Sequence, residues 1–202
     1  MNAEKTEIIV VLDRSGSMVT IAHDMRGGFD TYMKDQQKLS GECVVTLCQF
    51  DEQYDVVYEA KSIADVPPLE LVPRGWTALY DAIGKTITSA GERFRALLEE
   101  ERPGKVLFVI ITDGMENSSK EWKQAAVKEA IERQTAVYKW EFVFFGANQD
   151  AVTTGAGLGI RAANSVTYTA CSRGVEQMSS VLSAGTTNYR GGGASAWKKS
   201  SP

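Results

Sequence analysis

Ile8-Ile9-Val10-Val11-Leu12-Asp13-Arg14-Ser15-Gly16-Ser17 is the stretch on which the reading of this 202-residue chain turns. An unbroken apolar run, mostly β-branched, stops at a carboxylate, and a loop rich in hydroxyls follows. Runs of this kind mark strands buried on both faces, which is the condition of a parallel sheet. The form recurs twice. Residues 106–111 end at Thr112-Asp113-Gly114, and residues 142–145 end at Gly146-Ala147-Asn148. Helical periodicity fills the intervals. Ile21, Met25, Phe29 and Tyr32 share one face over about 18–38, and Leu79, Ile83, Ile87, Ala90, Phe94 and Leu97 share one over about 78–100. A third helix is expected around 119–135. Strands alternating with helices predict an α/β domain, doubly wound, with helices on both faces of the sheet.

One pair of strands breaks the alternation. Residues 44–50 and 54–58 are separated only by Asp51-Glu52-Gln53, which can close a hairpin but cannot make a parallel crossover. One antiparallel strand is therefore expected on the edge of the sheet. A weaker strand at 165–169 precedes a helix expected over 173–184. From Gly185 the chain turns rich in Gly and Ser, so the reading divides it into a domain over 1–184 and a loose tail over 185–202.

Composition narrows the chemistry. With 43% hydrophobic residues the chain is too apolar to be disordered, and no stretch approaches the ~20 apolar residues of a membrane span. Lys+Arg at 22 against Asp+Glu at 26 gives a formal charge of −4, which argues against nucleic-acid binding. The three cysteines form no disulfide framework. Cys43 and Cys48 point to opposite faces of one strand, and Cys171 lies far off. Buried or indifferent reduced thiols, with a polar start over residues 1–7 that lacks a secretory signal, lead to an expected cytoplasmic location.

In open α/β sheets, ligands bind beyond the carboxyl ends of the strands where strand order reverses. Asp13 and Asp113 stand immediately after buried strands. Ser15 and Ser17 share the Asp13 loop, and Thr77 closes another loop, Arg74-Gly75-Trp76-Thr77, just before a long helix. Each alone has a plainer explanation, since Ser, Thr and Asp before a helix usually cap it. All of them converging on one end of a sheet as independent caps would be a coincidence. Two carboxylates with three hydroxyls make an all-oxygen set suited to a hard divalent cation.

These residues resemble the metal-ion-dependent adhesion site (MIDAS) of von Willebrand factor type A (VWA) domains. The likeness runs through Asp13-x-Ser15-x-Ser17, Thr77 and Thr112-Asp113-Gly114, over roughly residues 5–170, and points to the stand-alone intracellular type of bacteria or phages. Gly75-Trp76-Thr77 resembles that family's threonine loop, with Trp76 where a second glycine often stands. The resemblance implies a sheet in the order 3-2-1-4-5-6 with an antiparallel edge strand. It implies Mg²⁺ (or Mn²⁺ or Ca²⁺) held by Asp13, Ser15, Ser17, Thr77 and Asp113. It also implies a protein partner that supplies Glu or Asp to the metal, with no catalysis and no role for nucleic acid or membrane.

Other chemistries fit less well. A phosphotransferase of the haloacid-dehalogenase type also places Asp after the first strand near Mg²⁺. It needs a second Asp two residues on as acid and base, and Ser15 stands there. A structural assembly domain with a vestigial metal site is the remaining alternative. His23, the single histidine, has no GxSxG elbow to serve and reads as an ordinary helix residue. Gly155-Ala156-Gly157-Leu158-Gly159 lacks the last glycine of a dinucleotide fingerprint, because Ile160 occupies that position. Glu116 reads as a solvated carboxylate beside the site.

Overall fold

A computed structural model describes residues 1–193 and Trp197. The elements alternate as expected: β1 (Asn2–Asp13), α1 (Ala22–Gln37), β2 (Glu42–Phe50), β3 (Tyr54–Ser62), α2 (Leu79–Ala96), β4 (Pro103–Thr112), α3 (Gln124–Tyr138), β5 (Glu141–Ala147), α4 (Ala151–Gly157), β6 (Ser165–Tyr168) and α5 (Ser172–Arg190). The six strands form one sheet in the order β3-β2-β1-β4-β5-β6. Every pairing is parallel except β2 with β3, where the hairpin places the antiparallel strand at the edge.

The central strand β1 shows why both layers form. Its side chains alternate between faces with the two-residue period of a strand. Ile8, Val10 and Leu12 pack with Met25, Phe29 and Tyr32 of α1 and Val175, Met178 and Leu182 of α5. Ile9 and Val11 join Leu79, Ile83 and Ile87 of α2 and Val127 and Ile131 of α3 on the opposite face. Residues 8–12 are fully buried, so a polar residue anywhere in this run would lack a solvated side to turn to. The two cysteines of β2 divide as predicted. Cys43 lies in the α1–α5 core, where burial pushes its thiol up to about 11, and the sulfur of Cys48 lies 3.1 Å from the Tyr54 hydroxyl. Cys171 and His23 are exposed.

Several boundaries differ from the sequence reading, each for a local reason. β1 begins at Asn2, because the polar residues before Ile8 already pair with β2 and β4. A 3-10 turn over Gly16–Thr20 intervenes before α1, and α2 stops at Ala96, where Leu97 is extended. The helix expected over 173–184 continues to Arg190. Gly185 reads as a stop signal in the sequence. Its lack of a side chain instead admits the indole of Trp197, which a Cβ there would strike. Trp197 is fully buried in the α1–α5 core. Within the expected tail, residues 194–196 and 198–202 lie outside the described residues. Among the described residues, no helix is long and apolar enough to cross a membrane.

Candidate metal centre

The sheet order reverses between β1 and β4, so the crevice at their carboxyl ends lies between Asp13 and the loop after Thr112. Asp13 is fully buried and Asp113 nearly so. One Asp13 oxygen accepts the Ser15 amide at 2.6 Å, and the other accepts the Thr112 hydroxyl at 2.6 Å. The Ser17 hydroxyl donates to Asp113 Oδ1 at 2.6 Å and lies 3.1 Å from the Ser15 hydroxyl. Thr77 enters from the third loop. A Cβ placed on Gly114 would lie 3.0 Å from Thr77 Oγ1, 3.4 Å from Ser17 Oγ and 3.8 Å from Asp13 Oδ2. Thr77, Ser17 and Asp13 thus meet beside Gly114, next to Asp113, and Ser15 joins them through the Ser17 hydroxyl.

The capping explanation for the hydroxyls does not hold. Ser15 occupies the N-cap position of the 3-10 turn without a side-chain capping bond, and the N-cap of α2 is Ala78, not Thr77. Thr77 is buried, and its hydroxyl has no hydrogen-bond partner among the described residues. Freed from capping, these oxygens can turn their lone pairs inward. Among the described residues there is no cluster of three or more His, Cys, Asp or Glu side chains suited to a metal. A cation here would depend on hydroxyl oxygens beside two carboxylates, a donor set that suits a hard ion such as Mg²⁺.

The electrostatics agree with that chemistry. Burial pushes the Asp13 carboxyl up to about 6, although hydrogen bonds from Thr112 and Ser15 oppose the rise and the charge of Asp113 adds to it. Burial also raises Asp113 against the Ser17 hydrogen bond. Behind them, the Tyr168 hydroxyl points to the Thr112 carbonyl at 3.4 Å, and burial beside both carboxylates lifts it far above its usual range. Two desolvated carboxylates side by side favour any partner that supplies positive charge.

Residues that sequence reasoning missed hold the three loops in register. The Gly16 amide donates to the Gly75 carbonyl at 3.1 Å, and the Arg74 amide to the Arg14 carbonyl at 2.8 Å, which ties the serine loop to the threonine loop. Asp51, in the hairpin turn, accepts Arg14 Nε at 2.9 Å and Arg74 Nε at 2.7 Å through one oxygen, bracing both loops from below. Asn117 Oδ1 accepts the Thr77 amide at 2.9 Å. The Asn148 and Gln149 side chains donate to the carbonyls of Asp113 and Gly114. Asn148 does so from a positive φ of 56°, which Asn tolerates better than most residues. An Asn directly after a buried strand was the one local signal available.

Glu116 corrects the sequence reading. It is half-buried and accepts the amides of Tyr80, Ser118 and Ser119 at 2.9, 2.9 and 2.7 Å, and the Ser119 hydroxyl at 2.7 Å. Because α2 has no side-chain cap of its own, a carboxylate from another loop satisfies its first turn. Glu116→Ala is expected to cost about 1–2 kcal/mol, lowering the melting temperature by roughly 2–8 °C. A thermal melt of that variant showing no loss would refute the structural role.

Solved structures similar to this chain include the ArnB paralogue VWA2 of Sulfolobus acidocaldarius, at 18% identity and a TM-score of 0.55 over 92% of this chain and 45% of that one. Proximal thread matrix protein 1 of the mussel byssus, with a zinc-occupied MIDAS motif, aligns at 15% identity and 0.62 over 92% and 46%. A von Willebrand factor type A protein of Catenulispora acidiphila aligns at 15% and 0.59 over 92% and 43%. The fold is that of a VWA domain, and at these identities the likeness extends to the fold alone. The chain spans less than half the length of each of these proteins. No protein-family model and no curated protein matches it.

Proposed function

We propose that this chain, a VWA fold, is a protein-binding module that captures an acidic residue of its partner through Mg²⁺ held by Asp13, Ser15, Ser17, Thr77 and Asp113. The observation that carries this reading is the gathering of Thr77 Oγ1, Ser17 Oγ and Asp13 Oδ2 around Gly114, with Asp113 bonded to Ser17. Asp13 and Asp113 supply the charge, and the three hydroxyls supply neutral oxygens that do not cancel all of the ion's charge. When bound, the ion offers a positively charged coordination position to a Glu or Asp from outside. Gly114 leaves room beside those oxygens that any other residue would fill. The comparison protein from mussel shows that this fold can hold a divalent ion in a MIDAS, which supports the reading. A cytoplasmic setting suits the reduced thiols, and the module binds without catalysing.

Affinity capture from lysate, with Mg²⁺ and with EDTA, tests it. Partners should be retained by wild type in Mg²⁺ and lost in EDTA and in Asp113→Ala. Retention of the same partners in all three would overturn metal-mediated capture. With Mg²⁺ at about 100 times its dissociation constant, the stability gain should be about 2.7 kcal/mol, or roughly 5–10 °C in melting temperature. Titration with Mn²⁺, Ca²⁺ and Zn²⁺ in the same assay ranks the ions. Steady hydrolysis of p-nitrophenyl phosphate that Asp13→Ala abolishes would instead favour a phosphotransferase.

A further inference from the structure

The end of the sheet opposite the metal centre carries a cavity between α2 and α3. It is lined there by Pro103 and Gly104 at the start of β4 and by Trp140 just ahead of β5, and it encloses about 440 Å³. Small-molecule sites usually measure roughly 300–1,000 Å³. The two helices leave the space open because the residues that line it at that level are small, Thr88 and Gly91 on α2 and Ala130 on α3. A Cβ built on Gly91 would find nothing nearer than Gln134 Nε2 at 3.9 Å. The walls are aromatic, with Phe94, Trp122, Tyr138 and Trp140 all contributing. Phe94 meets Trp140 edge to face at a centroid distance of 5.5 Å, and Trp140 stacks on Phe108 and Phe142. The Trp122 indole lies against α2 where Gly84 has no Cβ to strike it. These rings are held in place by the fold itself. Trp140 is only 4% exposed, and its indole N–H has no acceptor among the described residues.

Positive charge gathers at the same place. Arg95, Arg102 and Arg133 line the cavity against a single carboxylate, Glu92. In a chain of net charge −4 this is a local inversion of sign. Arg102 donates to the carbonyls of Leu97 and Arg95 at 3.0 and 3.2 Å, so it is held without being neutralised. The side chains of Arg95 and Arg133 make no hydrogen bond or ion pair among the described residues. Both residues are exposed, at the solvent side of the cavity. A guanidinium binds a planar acid through paired N–H donors and also stacks on aromatic faces. Aromatic walls beside unpaired guanidinium groups suit a flat anion better than a neutral or cationic ligand.

We propose that this cavity binds a small aromatic acid, a body of about two or three rings bearing one carboxylate or sulfonate. The rings lie among Phe94, Trp122 and Trp140, and the acid lies at Arg95 and Arg133. The site does not depend on the metal centre or on the function proposed for it, since the two stand at opposite ends of the strands.

Anilinonaphthalene sulfonate, an aromatic acid whose fluorescence rises in apolar surroundings, tests this by titration of the full chain in EDTA. Saturable binding is expected, with naphthoate displacing the dye at least about tenfold better than uncharged naphthylmethanol. Gly91→Leu places a side chain in the cavity and improves helix propensity. It should keep or raise the melting temperature while weakening dye binding by about tenfold or more. Arg95→Gln/Arg133→Gln, at two exposed positions, should bring the two competitors within about twofold of each other. Dye binding unchanged in Gly91→Leu overturns the site, as does equal displacement by naphthoate and naphthylmethanol in wild type. A preference for naphthoate that persists in the arginine variant overturns the placement of the acid.

Discussion

Asp13→Asn is expected to make the protein more stable in EDTA and indifferent to Mg²⁺. In neutral solution Asp13 is a buried charge whose carboxyl is pushed up to about 6 from an ordinary 3.8. That rise of about two units corresponds to up to ~3 kcal/mol of disfavoured charge burial at neutral pH. An amide fits the same hydrogen bonds. Its oxygen accepts from the Ser15 amide and its nitrogen donates to Thr112 Oγ1, whose own proton is satisfied by the Gly114 carbonyl at 3.0 Å. Removing the charge without orphaning a donor should therefore stabilise by about 1–3 kcal/mol, or roughly 2–10 °C. The same substitution removes one of two charged ligands and should abolish the Mg²⁺-induced shift. Gain and loss in one variant is the pattern of a residue kept for binding at a cost in stability. Calorimetric melts of both proteins, with Mg²⁺ and with EDTA, measure it. An Asp13→Asn variant less stable than wild type in EDTA would mean that Asp13 is a structural acceptor and no more.

The fold was legible because its central strands carry their own signature. Residues 8–12, 106–111 and 142–145 cannot be solvated on either face, and the three-residue link Asp51-Glu52-Gln53 permits only a hairpin. That the candidate residues would lie close together was legible for a related reason, since Asp13 and Asp113 follow the ends of adjacent parallel strands. What supports them was not. Asp51, Asn117 and Gln149 act across 23 or more residues of sequence, on partners that only the folded chain brings near. Nothing in their own neighbourhoods distinguishes them from other polar loop residues. Glu116 escapes a sequence reading for that reason, because its partner Tyr80 is 36 positions away. Gly185 shows the opposite failure. Local chemistry marks a helix stop, and a distant tryptophan overrides it.

The fall in stability with rising pH that is expected in EDTA should disappear in saturating Mg²⁺. In EDTA the folded chain holds a proton on Asp13 up to about pH 6, whereas the unfolded carboxyl has lost it above about 4. The folded state binds more protons over that interval, so its stability falls as pH rises through it and then levels. Asp113, raised by burial as well, adds to the fall. Mg²⁺ requires both carboxylates ionised, so below pH 6 it must displace a proton from Asp13, weakening about tenfold per pH unit. Between pH 7 and pH 5 the apparent affinity should drop about tenfold from Asp13 alone, and further with Asp113. The metal's contribution therefore grows with pH by as much as the buried charge's penalty grows, about tenfold per unit for each, and saturating Mg²⁺ should flatten the falling curve above about pH 4.5. Melting curves from about pH 4.5 to about pH 8, with and without the ion, separate the two cases. Parallel curves would mean that the ion does not bind at these carboxylates. A divergence of the curves between about pH 5 and about pH 7 that Asp13→Asn removes would place the competing proton on Asp13.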